Sequence, residues 1–157
     1  MNPSTGPVDM VPVGTVRSPR REVVDDDWGA VVSTIELLAP YGPAALAGLD
    51  QFSHVEILFL FDQVDPTAVC TGARHPRGNP AWPAVGIFAQ RAKDRPNRIG
   101  LCTSRLLGVD GTSLRVQGLD AVDGTPVLDV KPHMAELGPR GTVHQPSWST
   151  ELMAGYF

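Results

Sequence analysis

Four basic side chains crowded into eight residues carry the clearest chemical signal in this sequence: Arg91, Lys93, Arg95 and Arg98. Only one carboxylate, Asp94, interrupts them. Pro96 restricts its own φ and Asn97 tolerates turn geometry, so this loop can be stiff although it is exposed. A planar guanidinium matches the oxygens of phosphate or carboxylate groups. The segment therefore favours recognition of an anion.

A second polar cluster follows between residues 118 and 132. It combines three carboxylates, a hydroxyl and an ammonium group, which are Asp120, Asp123, Asp129, Thr125 and Lys131. Its centre, Asp123-Gly124-Thr125-Pro126, has the composition of a tight turn. Taken alone, it is an ordinary turn.

The charge of the chain is unevenly distributed. The net charge is -4, yet seven cations and one carboxylate lie between Thr71 and Arg105. An acidic protein with one basic segment is typical of a protein that binds an anionic ligand. The alternative is that these arginines lie on exposed loops and form ion pairs with carboxylates from the rest of the chain.

The composition predicts one globular domain that folds by itself. The chain has 157 residues, of which 42% are hydrophobic, enough for a core without disulfide or metal staples. Cys70 and Cys102 lack a Cys-x-x-Cys pair and a histidine at metal spacing, so we expect two reduced thiols and no metal, with one buried disulfide as the alternative. No membrane span or signal peptide is predicted, which favours a cytoplasmic protein.

Short segments rich in β-branched or alternating apolar residues predict six or seven strands, and hence a mainly β fold, a barrel or a sandwich. They are residues 11–17, 31–38, 54–61, 84–89, 100–109, 113–117 and 126–130. The most apolar of them, 54–61, is predicted to be buried on both faces.

Helix is predicted in two places only. A short helix is expected over 43–47. Trp148, Leu152 and Tyr156 predict an apolar stripe on a helix over 148–156 capped by Ser147, which docks on the barrel or on a second subunit. The chain thus divides into a frayed tail at 1–10, a barrel domain at 11–133, and a linker with a C-terminal helix at 134–157.

The two polar clusters occur together in a specific order. Arg91-x-x-x-Arg95-Pro96-Asn97-x-Ile99-Gly100 precedes Asp120-x-x-Asp123-Gly124-Thr125-Pro126-Val127-x-Asp129-x-Lys131-Pro132. Further motifs stand upstream: Gly14-x-x-Arg17-Ser18-Pro19, Ala39-Pro40-Tyr41, Gly48-Leu49-x-x-Phe52-Ser53-His54 and Arg74-x-Pro76-Arg77. Together they resemble the TsaA-like family, also called the YaeB or TrmO type, over residues 13–132.

That resemblance implies a small single-domain β-barrel that binds S-adenosylmethionine and works as a homodimer. Well-known members methylate threonylcarbamoyl-adenosine beside the tRNA anticodon. The sequence agrees in lacking a Gly-x-Gly-x-x-Gly loop between a strand and a helix, the mark of the Rossmann cofactor domain. Two alternatives stay open: a methyltransferase of a small anionic metabolite, and a non-catalytic module that binds S-adenosylmethionine or RNA.

The resemblance also implies positions for the site. Cofactor contacts would fall on Asp27, Trp28, Gly29, Asp62, Gln63, Arg91, Leu101, Asp123, Gly124, Thr125 and Pro126. Asp62 stands where the family usually has histidine. For the tRNA substrate we expect contacts from Arg77, Lys93, Arg95, Asn97, Arg98 and Lys131.

Methyl transfer from a sulfonium depends mainly on alignment, so a strong general base is not obligatory. The proton of an acceptor amine could go to Asp62, Asp123, Asp129 or His54, and the sequence does not choose among them. His54 is expected to be structural. Phe88, Trp82 and Trp148 are expected in the core or an interface rather than as platforms for stacking bases.

Overall fold

Six antiparallel strands close into a barrel in this computed structural model, which describes residues 6–157. The described chain has eight strands, of which the barrel uses six: β1 (Gly14–Arg17), β2 (Val32–Leu37), β3 (His54–Leu60), β4 (Ala73–Arg74), β5 (Val85–Gly86), β6 (Ile99–Asp110), β7 (Ser113–Gln117) and β8 (Pro126–Pro132). The barrel order is β1-β2-β7-β6-β3-β8, and β4 pairs with β5 outside it. The prediction of a mainly β fold with a barrel is confirmed.

Antiparallel pairing brings the three connections that carry the sequence motifs to one end of the barrel. The C-terminal end of β3 and the N-terminal end of β8 meet where Phe59 pairs with Val127, and Leu60 pairs with Ile99 at the start of β6. Arg17 at the end of β1 lies opposite Thr34 near the start of β2. Residues 18–31, 61–98 and 118–125 therefore leave the barrel at the same end, which we call the loop end.

The core fills the barrel interior with alternate residues of each strand. In β3 the inward side chains of Val55, Ile57 and Phe59 are at most 1% exposed. Between them the outward residues are exposed or half-buried. The prediction that β3 would be buried on both faces is wrong, because a closed barrel has one interior and nothing in the described chain fully covers its outer wall here.

The predicted strand over 84–89 is also mostly wrong. Only Val85–Gly86 is extended, and Ile87–Ala89 is a turn of 3-10 helix. The Ile87 amide donates to the Gly72 carbonyl at 2.9 Å, and the Gln90 amide donates back to the Ile87 carbonyl at 3.1 Å. These local bonds replace the ladder that a strand would have needed.

The helices are short. Pro43–Leu46, predicted as a helix, is a single 3-10 turn. The helix α1 spans Ser147–Leu152, so it is shorter than predicted, and Ser147 is its first residue instead of its cap. A positive φ of 76° at Gly155 prevents the helix from continuing to Tyr156.

Three further predictions concern the N-terminal tail, membrane spans and metal sites. Of the predicted N-terminal tail, the first five residues lie outside the described residues, and 6–10 are exposed without regular secondary structure. Over residues 6–157 no helix has the length and apolarity to cross a membrane. In the same part of the chain, no three His, Cys, Asp or Glu side chains are grouped so as to hold a metal ion.

Candidate functional site

The turn over residues 122–125 is fastened to β1 at the loop end. The Asp123 carboxylate accepts a hydrogen bond from the Ser18 amide at 3.0 Å. The hydroxyl of Thr125, which is 4% exposed, donates to the Val122 carbonyl at 2.8 Å. Gly124 has a φ of 83°, and a Cβ built on it would meet nothing within 4 Å. The turn therefore presents its backbone to open space.

The Asp27-Trp28-Gly29 turn is held by residues 155–157 from the other end of the chain. The Asp27 amide donates to the Gly155 carbonyl at 3.0 Å, and the Trp28 amide donates to the Tyr156 carbonyl at 2.8 Å. Asp27 has a φ of 65°. These two bonds position a turn that its own local sequence leaves strained.

Close packing completes this arrangement. A Cβ on Gly29 would lie 2.6 Å from the carbonyl carbon of Phe157, so only glycine fits there. The Trp28 ring is 3% exposed, and the Arg20 guanidinium lies 4.0 Å from the ring centroid. The buried ring of Trp28 stabilises the turn and leaves the exposed backbone and Asp27 to face solvent.

Asp62 and Gln63 follow β3 directly at the loop end. Both residues are exposed. The Phe61 amide donates to the Arg98 carbonyl at 2.8 Å, and the Asp62 amide donates to the Leu60 carbonyl at 2.9 Å. These bonds tie the backbone at Asp62 to both the barrel and the basic loop.

Arg91 and Leu101 are brought together. An Nη2 hydrogen of Arg91 is donated to the Leu101 carbonyl at 2.6 Å. Leu101 points outward from β6 and is 44% exposed. Since one bond uses only one of the five donors of a guanidinium, Arg91 retains capacity to bind an anion.

The basic loop, residues 91–98, is pinned to its surroundings. Arg95 Nη1 donates to the Gln90 carbonyl at 2.6 Å, and Arg98 Nη1 donates to the Val64 carbonyl at 2.8 Å. Asn97 and Arg98 have φ values of 63° and 50°. As the proline and asparagine predict, the backbone follows a sharp path, but the arginines themselves supply the fastening.

The one carboxylate of the basic loop is occupied elsewhere. Asp94 forms a bidentate ion pair with Arg74. Partial burial acts to raise the pKa of Asp94, but the hydrogen bonds from Arg74, a backbone hydrogen bond and the charges of Arg74 and Lys93 together outweigh it, and the pKa lies below its ordinary value. Within the described residues, no carboxylate lies within 4.0 Å of the loop's own cations, Arg91, Lys93, Arg95 and Arg98. The loop therefore keeps its positive charge.

Two residues predicted for the substrate are engaged in ion pairs. Arg77 donates to Asp26 at 2.8 Å, which raises its pKa and links residues 61–98 to residues 18–31. Lys131 pairs with Asp129 at 2.7 Å. Lys131 lies five residues along β8 from Pro126, roughly 16 Å away. The structure thus brings Arg77 to the loop end and leaves Lys131 outside it.

The four predicted proton acceptors also differ in whether they lie at the loop end. Asp62 and Asp123 lie at the loop end. Asp129 is engaged by Lys131. His54 begins β3, six residues and roughly 20 Å along the strand from Leu60, and it lines a groove with Gly29 and Gly118. His54 is exposed and its Nδ1 lies 2.7 Å from the Ser53 hydroxyl. Asp62 and Asp123 are therefore the two of these groups that lie in the same connections as Arg91 and the 122–125 turn.

Two surface grooves contain only some of the candidate residues. One groove of about 320 Å³ runs along the barrel wall between Gly29, His54 and Arg105. Another of about 560 Å³ lies between Tyr41, Leu49 and Asp129. Asp62, Arg91 and the 122–125 turn line neither groove, and the exposed residues Asp62, Arg91 and Gly124 form an open surface in the single chain.

The order of motifs and the barrel topology agree with a family assignment. Residues 15–138 match the family described as the tRNA-methyltransferase O N-terminal domain. The chain belongs to this family. The resemblance to the TrmO type is thereby confirmed.

Curated relatives of the tRNA-methyltransferase O type are similar over most of this chain. A putative S-adenosylmethionine-dependent methyltransferase, RcsF, of Pseudomonas aeruginosa is 41% identical over 134 residues, 78% of this chain and 55% of the relative. The tRNA (adenine(37)-N6)-methyltransferase of Escherichia coli is 40% identical over 134 residues, 78% of this chain and 56% of the relative. The chain spans about half the length of these two proteins.

Other matches concern the domain itself. A probable S-adenosyl-L-methionine-binding protein of Methanothermobacter thermautotrophicus is 36% identical over 134 residues, which cover 83% of this chain and 93% of that protein. A crystal structure of TrmO from Pseudomonas aeruginosa matches with a TM-score of 0.72 and 33% identity over 90% of this chain and 62% of that one. The barrel is thus the fold of the tRNA-methyltransferase O N-terminal domain.

Sequence reasoning missed a buried polar cluster beside the site in this family domain. The Tyr156 hydroxyl donates to Asp120 Oδ2 at 2.5 Å, while Asp120 Oδ1 is buried with no partner among the described residues. Nearby, the Cys102 thiol donates to the Gly118 carbonyl at 3.2 Å. These residues are far apart in sequence, and no local pattern predicts their contact.

Proposed function

We propose that this protein is an S-adenosylmethionine-dependent methyltransferase that acts on an adenosine of tRNA. Membership of the tRNA-methyltransferase O N-terminal domain family supports this function. The observation that carries it is the convergence, at one end of the barrel, of Asp62, Arg91 and the 122–125 turn beside a basic loop without carboxylate partners. A modified adenosine next to the anticodon, threonylcarbamoyl-adenosine, is the proposed acceptor.

The chemistry of these side chains fits the cofactor. S-adenosylmethionine carries a carboxylate, an ammonium group, ribose hydroxyls and a sulfonium-bound methyl group that leaves readily. Arg91 suits the carboxylate, because a guanidinium binds it through paired hydrogen bonds. Asp62 and Gln63 are exposed and can accept from ammonium or hydroxyl groups. The Gly124 backbone can approach a ligand closely, since its side has open space.

The protein's main task is alignment, and a base need only receive the proton of the acceptor amine. We propose Asp62 for this role. Asp123 already accepts the hydrogen bond of Ser18, whereas the described residues offer the Asp62 side chain no hydrogen bond. Asp62→Asn should therefore lower the rate of methyl transfer more than the affinity for S-adenosylmethionine. Asp62→His, which restores the usual family residue, should retain transfer.

We also propose that the active form is a cytoplasmic homodimer. The open surface at the loop end supports this, because a ligand site normally buries most of its ligand and a second chain could provide the missing wall. Light scattering of the purified protein tests the assembly. A strictly monomeric protein with full activity would contradict the dimer without affecting the proposed reaction.

The deciding experiment is transfer of labelled methyl groups. The protein is incubated with methyl-labelled S-adenosylmethionine and either bulk tRNA or a small-molecule extract, and digested tRNA is analysed by nucleoside chromatography. We expect label on N6 of an adenosine derivative. Label only in a small anionic compound would favour a metabolite methyltransferase, and cofactor binding without transfer to either pool would favour a non-catalytic module.

A further inference from the structure

Phe88 is the most exposed aromatic side chain of the described residues. Its exposed fraction is 78%, against 62% for Phe157 and 42% for Tyr41. Of the two expected positions for Phe88, the core of this chain is therefore excluded, and an interface stays a prediction. A single exposed apolar residue is common on protein surfaces and needs no explanation by itself. Its backbone support and its charged neighbours distinguish Phe88.

The backbone beneath Phe88 is rigidly held on both sides. Ile87 is 2% exposed, and its amide bonds to the Gly72 carbonyl at 2.9 Å. On the other side, the buried Gln90 amide group donates to the carbonyls of Arg74 and Val85 at 3.0 and 2.8 Å. An aromatic ring on so fixed a turn loses little conformational entropy when it binds a partner.

The segment that follows Phe88 carries positive charge without carboxylate partners of its own in the described chain. Arg95 donates to the carbonyl of Gln90, so its guanidinium is held at a residue two positions after Phe88. Lys93 is exposed and lacks a carboxylate partner in the described chain. The Asp94 carboxylate, which could have neutralised them, is held by Arg74. An exposed aromatic ring and two cations without carboxylate partners among the described residues thus lie in one short segment, residues 88–95.

We propose that Phe88 is a stacking platform for an unpaired base of the RNA acceptor, with Arg95 and Lys93 on the adjoining phosphates. A rigid ring binds the π face of a base, and cations bind the backbone on either side of it. Bases of a duplex are already stacked, so the platform selects a loop or a single strand. This proposal rests on the proposed function and specifies how its substrate is recognised.

The test measures binding of an anticodon stem-loop RNA, and of a fully paired hairpin stem, at several salt concentrations. Phe88→Ala and Phe88→Leu should each weaken stem-loop binding roughly 5- to 100-fold, because neither side chain stacks, whereas Phe88→Trp should retain it. The slope of log affinity against log salt should be unchanged, since no cation is removed. Tyr41→Leu, at the opposite end of the barrel, is the matched control and should bind normally.

Two further readouts separate the explanations. Affinity for S-adenosylmethionine and the oligomeric state should be the same in Phe88→Leu as in the unchanged protein. Normal stem-loop binding by Phe88→Ala and Phe88→Leu, in a protein that methylates tRNA, would overturn the stacking platform and leave the proposed function standing. Loss of the dimer in these variants would assign Phe88 to a subunit interface. An unchanged protein that neither binds nor methylates RNA would overturn both proposals.

Discussion

At the scale of single residues, Gly124 offers a direct test of the 122–125 turn. Its φ of 83° disfavours any side chain, although the space around it is open. Gly124→Val should therefore cost about 1–2 kcal/mol of folding free energy and should sharply weaken S-adenosylmethionine binding if the ligand approaches this backbone. Thermal unfolding and calorimetric titration measure the two effects.

Gly42→Ala is the matched control for Gly124, because Gly42 has a φ of -103° and also has open space where a Cβ would lie. It should change neither quantity. A folded Gly124→Val protein with unaltered cofactor affinity would remove this turn from the site.

The Cys102 thiol makes the free energy of unfolding depend on pH in the alkaline range. Burial and the charge of Asp120 raise the pKa of Cys102 from 9.0 to about 12. Below pH 9 both the folded and unfolded chains hold this proton, so its stabilising contribution is fully present. Between pH 9 and about 12 only the unfolded chain releases it, and the free energy of unfolding should fall by at most about 1.4 kcal/mol per pH unit.

Denaturant titrations from pH 7 to 11 measure this effect, with Cys102→Ala as the comparison. The variant should show a shallower decline. Some decline should remain above pH 10, because burial and Asp120 also raise the pKa of Tyr156. An identical decline in both proteins would show that the Cys102 thiol does not titrate differently in the two states.

At the scale of elements, residues 147–157 brace the loop end through Tyr156. Tyr156→Phe removes the only hydrogen bond that a side chain in the described chain donates to the Asp120 carboxylate. Leaving that partly buried carboxylate without a partner should cost about 1–3 kcal/mol. Denaturant unfolding measures the loss.

Tyr41→Phe is the control for Tyr156, since its hydroxyl is exposed and has no hydrogen-bond partner in the described residues. Its stability should be unchanged. Equal stability of both variants would mean that the Tyr156 hydroxyl contributes nothing net.

Local sequence patterns predict some of these elements and miss others. β3, β6, β7 and β8 are predictable because alternation and turn residues are local signals. The strand prediction for 84–89 fails because the Gln90 side chain and the Gly72 carbonyl form hydrogen bonds with the backbone of this segment. The fastening of Trp28 by Tyr156 joins residues more than a hundred positions apart, and no local pattern encodes it. Of the candidate site, the motifs predict the residues but not which are engaged in ion pairs.

At the scale of the whole molecule, the uneven charge predicts how RNA binding depends on salt. Affinity for tRNA should fall linearly with salt on logarithmic axes, since cations on phosphates release counterions. Lys93→Ala should reduce that slope by about one ion. Arg115→Ala removes an exposed cation on β7 and should leave the slope unchanged. Filter binding at four salt concentrations suffices, and a flat slope for the unchanged protein would favour a small acceptor.

The barrel closes through a short seam, and this links ligand binding to local opening. β1 and β8 pair only at Gly14 with Val127 and at Thr15 with Pro126, extended by the bond from the Gly124 amide to the Val16 carbonyl at 2.8 Å. Transient parting of this seam would disorder the 122–125 turn. A ligand that binds the closed turn must then suppress parting by mass action. In hydrogen–deuterium exchange, the amides of Val13, Val16 and Gly124 should consequently slow as S-adenosylmethionine saturates the protein, while amides in the longer β3–β6 ladder keep their rates.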